Sequence, residues 1–391
     1  MIFLLKKLIL TLIERICIKL LLKILHHEPK MNNYITNSDT IIFNSEFNEE
    51  LDIELISGFK KLIFSNCEEL NEGLFEYYEN DDFDFDGSKF IVFKNDGLKF
   101  KGNKFKGNKF NQDVSILPHS LTHLTFGYLF NQDVSVLSPF LTHLIFGYCF
   151  NRDVLSLPKG ITHLSFDHLF NQDVSGLPPF LTHLIFGNDF NKNVSVLPPT
   201  LTHLTFGWCF NQDISNLPQG ITNLTFGWGF NQNVSVLPYN LTHLTFGNDF
   251  NKDVSNLPHS LTHLTFGFYF NQQCDIPPNI KYLKLNCNNL HIIDSLPNSI
   301  IELELDYFFN LQMDNLPTSI KKLLINKRSN YNRDLNCLPN SIEELQLNCA
   351  YKKRILNIPP NLKKIICGKY YPHKNDFLIY NIKISEYEHE F

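Results

Sequence analysis

The chain has 391 residues, of which 34 are basic and 40 are acidic, so its formal net charge at pH 7 is −6. This balance provides no basic field of the kind that nucleic-acid binding needs, and we expect no nucleic-acid partner. The nine cysteines are odd in number, are spread along the chain and include no CxxC pair. This usage favours reduced thiols in the cytoplasm over a disulfide framework or a zinc site.

Residues 1–30 are rich in apolar side chains but are interrupted by lysine, arginine and glutamate. No uninterrupted run approaches the roughly 18–20 apolar residues of a membrane span, and no small-residue cleavage site follows. Most of the charges fall on one half of a helical wheel, which predicts an amphipathic helix that either caps the fold or lies on a membrane surface. Alternatively, residues 1–30 are a non-native extension, because Met31 begins a polar stretch typical of an amino terminus.

Residues 31–109 are predicted to form an N-terminal cap with degenerate repeats and an acidic insertion. The acidic stretch ends in NDDFDFDG (80–87), which mimics the first half of a calcium loop. Phe93 stands where such a loop needs its bidentate glutamate, so we interpret the segment as an insertion and not as a cation site. The basic stretch 99–110 is interpreted as a degenerate lead-in coil.

From Phe110 to Phe270 the sequence repeats with one fixed period, the length of the unit FNQDVSILPHSLTHLTFGYL (110–129), without an insertion or deletion. A fixed period indicates that each unit has the same structural role and stacks on its neighbour, so the sequence predicts a solenoid. So short a unit leaves no room for a full helix on the return path. That path is therefore expected to be extended or to contain a single 3-10 turn.

Within the first unit, Leu121, Leu124 and Phe126 have the spacing of a short strand whose apolar residues point inward. His123 and Thr125 are then expected to point outward. Stacking places equivalent residues of successive units in columns about 4.8 Å apart. Each column can therefore be interpreted by itself.

Two of the columns consist of phenylalanine, one containing Phe110 and the other Phe126, and both are predicted to lie in the core. The asparagine after each first-column phenylalanine is predicted to form a ladder with backbone groups at the bend. The residues at the position of Asp113 are interpreted as caps of the return turn. Glycines end the strands at 127, 147, 187, 207, 227, 247 and 267, where we expect a turn with positive φ, and Asp167 replaces one of them.

The string LPxSLTHLTFGxxFNQ resembles the FNIP repeat, a short relative of the leucine-rich repeat that is abundant in proteins of social amoebae and of giant DNA viruses infecting amoebae. The resemblance covers residues 110–270 and extends in weaker form through 47–67, 296–305, 316–325, 338–347 and 358–367. It implies a mainly β, right-handed, leucine-rich-repeat-like solenoid with 20-residue coils, parallel strands on one face and short extended or 3-10 return segments. The charge pattern of residues 1–30 adds an N-terminal helix to this expectation. We expect eight regular repeats in 110–270, degenerate leucine-rich repeats in 271–367 and a C-terminal cap in 368–391.

The outward strand face carries histidine in every unit except one, at His123, His143, His163, His183, His203, His243 and His263, with Asn223 as the interruption. A metal array or a pH sensor is one hypothesis, because stacked imidazoles repel once protonated. A metal site needs converging ligands, whereas one histidine per coil gives a straight file. We therefore interpret the column as a ladder and predict neither a metal nor another cofactor.

The aspartate, serine and histidine of each unit do not predict a hydrolase. Ser115 and His123 are eight residues apart around one coil, which places them on different faces, whereas a catalytic triad needs side chains within hydrogen-bonding reach. No catalytic residue is predicted.

The column just past the strand varies while the rest of the unit is constant: Tyr128, Tyr148, His168, Asn188, Trp208, Trp228, Asn248 and Phe268. Aromatic side chains dominate binding hot spots, although they can also merely shield the edge of a coil. The candidate protein-binding residues are Tyr128, Tyr148, Trp208, Trp228 and Phe268, together with His123, His143, His183 and His203 of the strand face.

These features predict a non-enzymatic protein-interaction scaffold, a monomer in the cytoplasm, or in the host cytoplasm if the protein is viral, whose protein partner is unknown. A membrane surface is expected as a partner only if residues 1–30 are present and exposed. The family resemblance implies a substrate receptor for cullin-type ubiquitin ligases, since such proteins often carry an amino-terminal F-box, although residues 1–100 contain no LPxE-type F-box opening. The alternatives are a repeat-containing ubiquitin ligase with its own catalytic cysteine and a structural solenoid without a specific partner.

Overall fold

A computed structural model of the protein describes residues 34–36, 39–43, 47–64 and 109–387. The helix expected in residues 1–30, the acidic insertion with its calcium-like stretch, and residues 99–108 of the lead-in lie outside the described residues. The described chain is a solenoid whose strands form one sheet of 17 strands. The mainly β, leucine-rich-repeat-like fold class is confirmed.

The sheet grows by one strand per coil. Strand β1 pairs with β2 antiparallel, and from β2 onward each strand of the described chain pairs parallel with the next. The first three strands are β1 (Tyr34–Thr36), β2 (Thr40–Phe43) and β3 (Lys61–Phe64). The regular repeats supply β4 (His123–Thr125), β5 (His143–Ile145), β6 (His163–Ser165), β7 (His183–Ile185), β8 (His203–Thr205), β9 (Asn223–Thr225), β10 (His243–Thr245) and β11 (His263–Phe266). The remaining strands are β12 (Tyr282–Leu285), β13 (Glu302–Leu305), β14 (Lys322–Ile325), β15 (Glu344–Gln346), β16 (Lys364–Cys367) and β17 (Lys383–Glu386).

Helical structure is short wherever the described chain contains it. Helix α1 (Ile53–Ile56) and helix α2 (Leu290–Asp294) lie on return paths, and a 3-10 helix, η1 (Lys374–Tyr380), lies in the last coil. Each α-helix begins after a capping side chain, since Asp52 accepts from the Glu54 N–H and Asn289 accepts from the His291 N–H. No helix in the described part of the chain is both long and apolar enough to cross a membrane.

The return path of a regular coil consists of tight turns and extended segments, as the coil length requires. In the first unit the Leu117 N–H donates to the Val114 carbonyl and the Leu121 N–H donates to the Pro118 carbonyl, both at 3.1 Å. Pro118, which lacks an N–H, therefore lies outside the strand ladder, where only its carbonyl is needed.

The coils stay in register even where their length changes. The coil from His263 to its partner Tyr282 is one residue shorter than the regular period, and the coil from Lys322 to its partner Glu344 is longer than it. Residues 368–387, which were expected only to cover the last coil, add a coil of their own, because β17 pairs parallel with β16. In this last coil the helix η1 is capped at its C-terminal end by Asn381, whose φ of 56° is the left-handed conformation that asparagine tolerates.

The core is a set of buried columns that run the length of the solenoid. In the first unit they contain Phe110, Val114, Leu117, Leu121, Leu124 and Phe126. The two phenylalanine columns contact each other, with 3.6 Å between the ring centroids of Phe126 and Phe130. Within one column, the ring centroids of Phe110 and Phe130 are 6.2 Å apart. Full burial of each such ring contributes about 1.5–3 kcal/mol of transfer free energy. The prediction that both columns lie in the core is confirmed.

The asparagine ladder at the bend is also confirmed. The Asn131 N–H donates to Asn111 Oδ1 at 2.8 Å, and the same bond recurs from coil to coil up to Asn271. The ladder reaches back to Asn48, whose Oδ1 accepts from the Asn111 N–H at 3.2 Å. The amides thus satisfy backbone donors at a bend where no strand partner exists.

The glycine column ends each strand for a reason other than the expected one. None of the column glycines from 147 to 267 has a positive φ, so that expectation is wrong. A Cβ on Gly207 would instead lie 2.2 Å from the carbonyl oxygen of Gly187 in the preceding coil. Glycine is needed here because the coils approach too closely for a side chain. Asp167 nevertheless occupies one such position, where its carboxylate accepts from the His168 N–H and burial raises its pKa.

We expect Phe210→Ala to lower the free energy of unfolding by about 3–5 kcal/mol, because it opens a cavity beside Phe206, whose ring centroid is 3.7 Å away. Phe180→Ala is the matched control, since that ring is 62% exposed and should leave stability nearly unchanged. Urea unfolding followed by circular dichroism measures both variants. Equal losses would contradict the assignment of the phenylalanine column to the core.

We expect Gly207→Ala to destabilise the solenoid and Asp167→Gly to stabilise it, since the first adds and the second removes a side chain where coils touch. Gly160→Ala is the control, because a Cβ there would meet carbonyl oxygens at 3.4 Å, a contact that a small shift relieves. Thermal unfolding midpoints of the three variants check the order. A Gly160→Ala loss as large as that of Gly207→Ala would show that glycine flexibility and not coil spacing sets the requirement.

Candidate functional site

The outward strand face begins with a continuous threonine ladder. The Thr142 hydroxyl donates to the Thr122 carbonyl of the preceding coil at 3.1 Å, and this bond recurs through Thr262. The same hydroxyl lies 2.9 Å from Nδ1 of His143. Because a hydroxyl has one hydrogen and donates it to the carbonyl, its oxygen accepts from Nδ1–H. The threonines thus hold the neighbouring imidazoles in one tautomer and one orientation.

The histidines held in this way stack on one another. From His123 to His203 successive ring centroids are 4.2 Å apart, with interplanar angles of 9–12°. Beyond Asn223 the stack resumes with His243 and His263 at 3.9 Å and ends on Tyr282. The rings are half-buried and lie parallel, so their ring nitrogens point along one direction and do not converge. In the described residues no group of three or more His, Cys, Asp or Glu side chains is arranged to hold a metal ion.

Stacking and burial make protonation of these histidines unfavourable. Burial, followed by the neighbouring His203, His163 and His143, lowers the pKa of His183 to about 4. Burial and His243 lower the pKa of His263 to about 4. The pKa values of His203 and His243 are also lowered, mainly by burial. These four rings are therefore neutral at pH 7.

The same column changes chemistry after Tyr282. It continues as Glu302, Lys322, Glu344 and Lys364, and these side chains pair along it, with 3.2 Å between the charged groups of Lys322 and Glu302 and 2.7 Å between those of Lys364 and Glu344. The first half of the column thus consists of neutral rings and the second half of alternating charges. Facing residues avoid like-charge contact from His123 to Lys364, whereas at the last coil Lys383 lies opposite Lys364.

The serine and aspartate of each unit are occupied in a turn. The Ser115 hydroxyl donates to Asp113 Oδ2 at 2.7 Å and the Ser115 N–H donates to Asp113 Oδ1 at 3.0 Å, and these bonds lower the pKa of Asp113. His123 Nδ1 lies instead against the Thr122 hydroxyl. The aspartates therefore cap the return turn, and the structure gives the histidine and the serine different hydrogen-bond partners.

The variable column past the strand divides into segments. Tyr128, Tyr148 and His168 form a half-buried stack with centroids 4.5 Å apart, and Asn188 Nδ2 closes it by donating to His168 Nδ1 at 2.9 Å. The candidates Tyr128 and Tyr148 are thus brought together but lie apart from the tryptophans, with the coils of His168 and Asn188 between.

The two tryptophans are arranged differently. Trp208 and Trp228 lie on adjacent coils with ring centroids 6.0 Å apart and planes tilted by 51°, so neither ring covers the other. Their exposed fractions are 45% and 48%. Large apolar side chains left half in water on consecutive coils form the clearest candidate contact surface of the described solenoid.

Phe268, the last candidate of the column, belongs to a second aromatic cluster that the sequence did not reveal. Its ring lies 4.3 Å from Phe308 and 4.7 Å from Tyr269, and Tyr307 packs edge-on against Phe308 at 4.8 Å. Tyr269, Tyr307 and Phe308 are exposed, so this cluster also presents aromatic surface to solvent. The sequence did contain a signal for this cluster, because two aromatic residues stand two and three positions after the end of each of the strands β11 and β13. We call Trp208, Trp228, Phe268, Tyr269, Tyr307 and Phe308 the aromatic edge.

A separate set of exposed apolar residues lies just before the strands. Phe140, Phe180 and Tyr239 are each more than half exposed on that side of the coil. Sequence reasoning missed them because Phe140 and Phe180 share their repeat position with small and polar residues, and Tyr239 stands one position earlier in its unit. They provide an internal comparison for the aromatic edge, since they are aromatic and exposed but lie at the other end of the strands.

We expect the solenoid to lose stability as the pH falls from about 6.5 towards 4, because an unfolded histidine titrates near 6.5 whereas His183 and His263 titrate near 4 when folded. A lowered folded pKa contributes stability that is complete above the unfolded value and is lost below it. The capping aspartates, whose pKa values are lowered from 3.8, act only at still lower pH.

Urea midpoints measured across this range check the expectation. His183→Asn combined with His203→Asn should flatten the pH dependence, since Asn223 already occupies this column with its amide group 2.9 Å from the Thr222 hydroxyl. An unchanged slope in that variant would contradict the role of the stack.

Comparison with known proteins supports the fold and the family. The FNIP Repeat profile matches residues 110–149, 130–168, 170–209, 210–249, 230–269, 270–308 and 309–350. No significant match was found among curated proteins. Of solved structures, CroV588, a circular LRR protein from a giant virus, is 32% identical with a TM-score of 0.67, over 86% of this chain and 48% of CroV588. This chain therefore spans about half the length of CroV588.

Two bacterial structures are more distant. The functional domain of InlJ from Listeria monocytogenes is 17% identical with a TM-score of 0.44, over 67% of this chain and 66% of that domain. YopM from Yersinia enterocolitica is 16% identical with a TM-score of 0.26, over 62% of this chain and 77% of YopM. Together, the repeat matches and the register of the coils show that the chain belongs to the FNIP repeat family, with a leucine-rich-repeat-like fold of the kind typical of protein-interaction scaffolds.

Proposed function

We propose that this protein is a non-enzymatic interaction scaffold that binds a protein partner through the aromatic edge. The observation that carries the proposal is the half exposure of Trp208 and Trp228 on adjacent coils. Aromatic side chains of this kind bury large areas on binding and lose few rotatable bonds, which makes them frequent hot spots. The cluster of Phe268, Tyr269 and Phe308 further along the same edge extends the proposed contact.

The other candidate residues take a lesser part in this proposal. Tyr128 and Tyr148 already cover each other at 4.5 Å, so a partner gains little by contacting them. His123, His143, His183 and His203 present ring edges, because their faces are stacked. We therefore assign these tyrosines and histidines to the rim of the contact and the tryptophans to its centre.

The buried thiols disfavour the alternative of a ubiquitin ligase that uses one of them as its nucleophile. Burial raises the pKa of Cys274 and Cys287 to about 12 and that of Cys367 to about 11, so these three thiols are not ionised at pH 7. A cysteine that accepts ubiquitin acts as a thiolate, which requires a lowered pKa. The seven cysteines of the described chain form no disulfide, and we propose the cytoplasm, or the host cytoplasm for a viral protein, as the site of action.

Proximity labelling in cells that express the protein tests the proposal. We expect the combined variant Trp208→Ala and Trp228→Ala to lose a subset of labelled proteins, because truncating a hot-spot aromatic weakens binding by about 2 kcal/mol or more. Phe140→Ala with Phe180→Ala is the matched control, since it removes two exposed rings from the other side of the strands.

The labelled set also tests the role implied by the family. Cullin-ligase components among the proteins recovered with the wild type would support a substrate receptor, and their absence would leave the general scaffold. An identical set for the tryptophan variant and the wild type, with both folded by circular dichroism, would overturn the proposed site.

A further inference from the structure

We infer that the tryptophan pair binds a cationic side chain, arginine or lysine, in an exposed segment of the partner protein. Asp189 and Asp249 stand on the coils that flank the pair and supply the complementary charge. The inference deepens the proposed function and rests on it, because it names the chemistry of the partner at the same surface.

The first observation is the bracketing of the tryptophan coils. The sequence GNDFNK occurs at 187–192 and again at 247–252, and the two coils between them carry Trp208 and Trp228 instead of asparagine. Backbone bonds hold these four coils in register, with the Gly229 N–H donating to the Trp208 carbonyl at 2.8 Å and the Asp249 N–H donating to the Trp228 carbonyl at 2.9 Å. One carboxylate therefore precedes the pair by one coil and the other follows it by one coil.

The second observation is that the indole rings have little to cover them. The residues following the two tryptophans are Cys209 and Gly229, which are small, whereas Leu169 and Tyr269 occupy the same position in other coils. The rings are tilted and do not stack, in contrast to Tyr128 and Tyr148. A planar guanidinium or an ammonium group placed on such a ring is attracted by its negative face.

The third observation is the charge around the pair. Asp189 Oδ1 lies 3.7 Å from Nε2 of His168, a contact that becomes an ion pair only when the histidine is protonated. The described residues supply no ion pair to Asp249. Lys192 and Lys252 are exposed three residues further on, beyond the buried Phe190 and Phe250 at the turn. The net charge of −6 adds a general attraction for cations.

These features disfavour the other partner chemistries. An acidic segment would meet two carboxylates of like charge, and a purely apolar segment would bury them without a partner, which is costly. The cationic group of an arginine or lysine side chain can lie against the indole rings and donate hydrogen bonds to the carboxylates at the same time. The occupant is thus a basic segment of a protein.

Solute quenching tests the local charge without knowledge of the partner. Trp208 and Trp228 are the only tryptophans of the chain, so the intrinsic fluorescence reports on this surface alone. We expect caesium to quench their emission more strongly than iodide does, relative to N-acetyltryptophanamide as the uncharged reference. Asp189→Asn with Asp249→Asn should remove that preference, and equal or stronger quenching by iodide in the wild-type protein would overturn the inference.

Peptide titration tests recognition directly. A glycine–serine peptide carrying several arginines should change the tryptophan emission saturably, and its glutamate counterpart should not. The double asparagine variant should weaken binding of the arginine peptide by about two- to fivefold per carboxylate, as expected for exposed ion pairs. No response to the arginine peptide, or the same affinity in both proteins, would contradict the inference.

Proximity labelling with the same variants separates this inference from the proposed function. If the tryptophan variant loses partners and the aspartate variant keeps all of them, the scaffold stands and the basic partner segment falls. If the wild type and both variants label the same proteins, both proposals fail. Loss of the same partners in both variants supports both.

Discussion

Registered stacking of the coils is the constraint on which the rest of this structure depends. Parallel pairing places His183 opposite His203 and Leu184 opposite Leu204, so within the regular repeats nearly every side chain meets its own equivalent about 4.8 Å away. Only some side chains tolerate such self-contact. Phenylalanine stacks, an asparagine amide accepts from the next backbone N–H, and glycine lets the coils touch. The composition of each column follows from this selection.

The outward strand face shows two ways of meeting the same constraint. Neutral histidines stack and hydrogen-bond to threonine, which ties their orientation to the backbone ladder of the preceding coil. From Glu302 to Lys364 the column alternates glutamate with lysine, so that these charges face their opposites. The first arrangement depends on an uncharged ring, whereas the second depends on charge. One continuous face therefore joins two segments with different responses to acid.

The sequence was sufficient to predict three features that depend on the same residue recurring at a fixed period. The phenylalanine core, the asparagine ladder and the outward histidines all follow from residues that recur at the same position of each unit. The glycine requirement was misjudged because coil spacing, and not local backbone conformation, sets it. The coil containing β17 was not predicted, because its sequence does not match the repeat. A coil stays in register with its neighbour when it supplies inward apolar residues such as Ile382, even without the residues typical of the repeat. Whether neighbouring rings stack, as Tyr128 and Tyr148 do, or splay, as the tryptophans do, depends on side-chain packing that a period does not encode.

The column past the strand varies most from coil to coil, so the requirement that a side chain tolerate its own equivalent is weakest there. Its two asparagines mark the ends of the tryptophan surface. Asn188 donates to His168, and Asn248 Oδ1 accepts from the Phe268 N–H at 3.2 Å and from Asn286 at 3.3 Å. Both asparagines are thus occupied by contacts within the solenoid and close the two ends of the tryptophan pair. Since the pair spans only two coils, a partner's central contact here is short, about 10 Å along the solenoid axis. A short contact of this kind selects a protruding segment or a single side chain, and a flat surface that follows the whole solenoid would use the pair poorly.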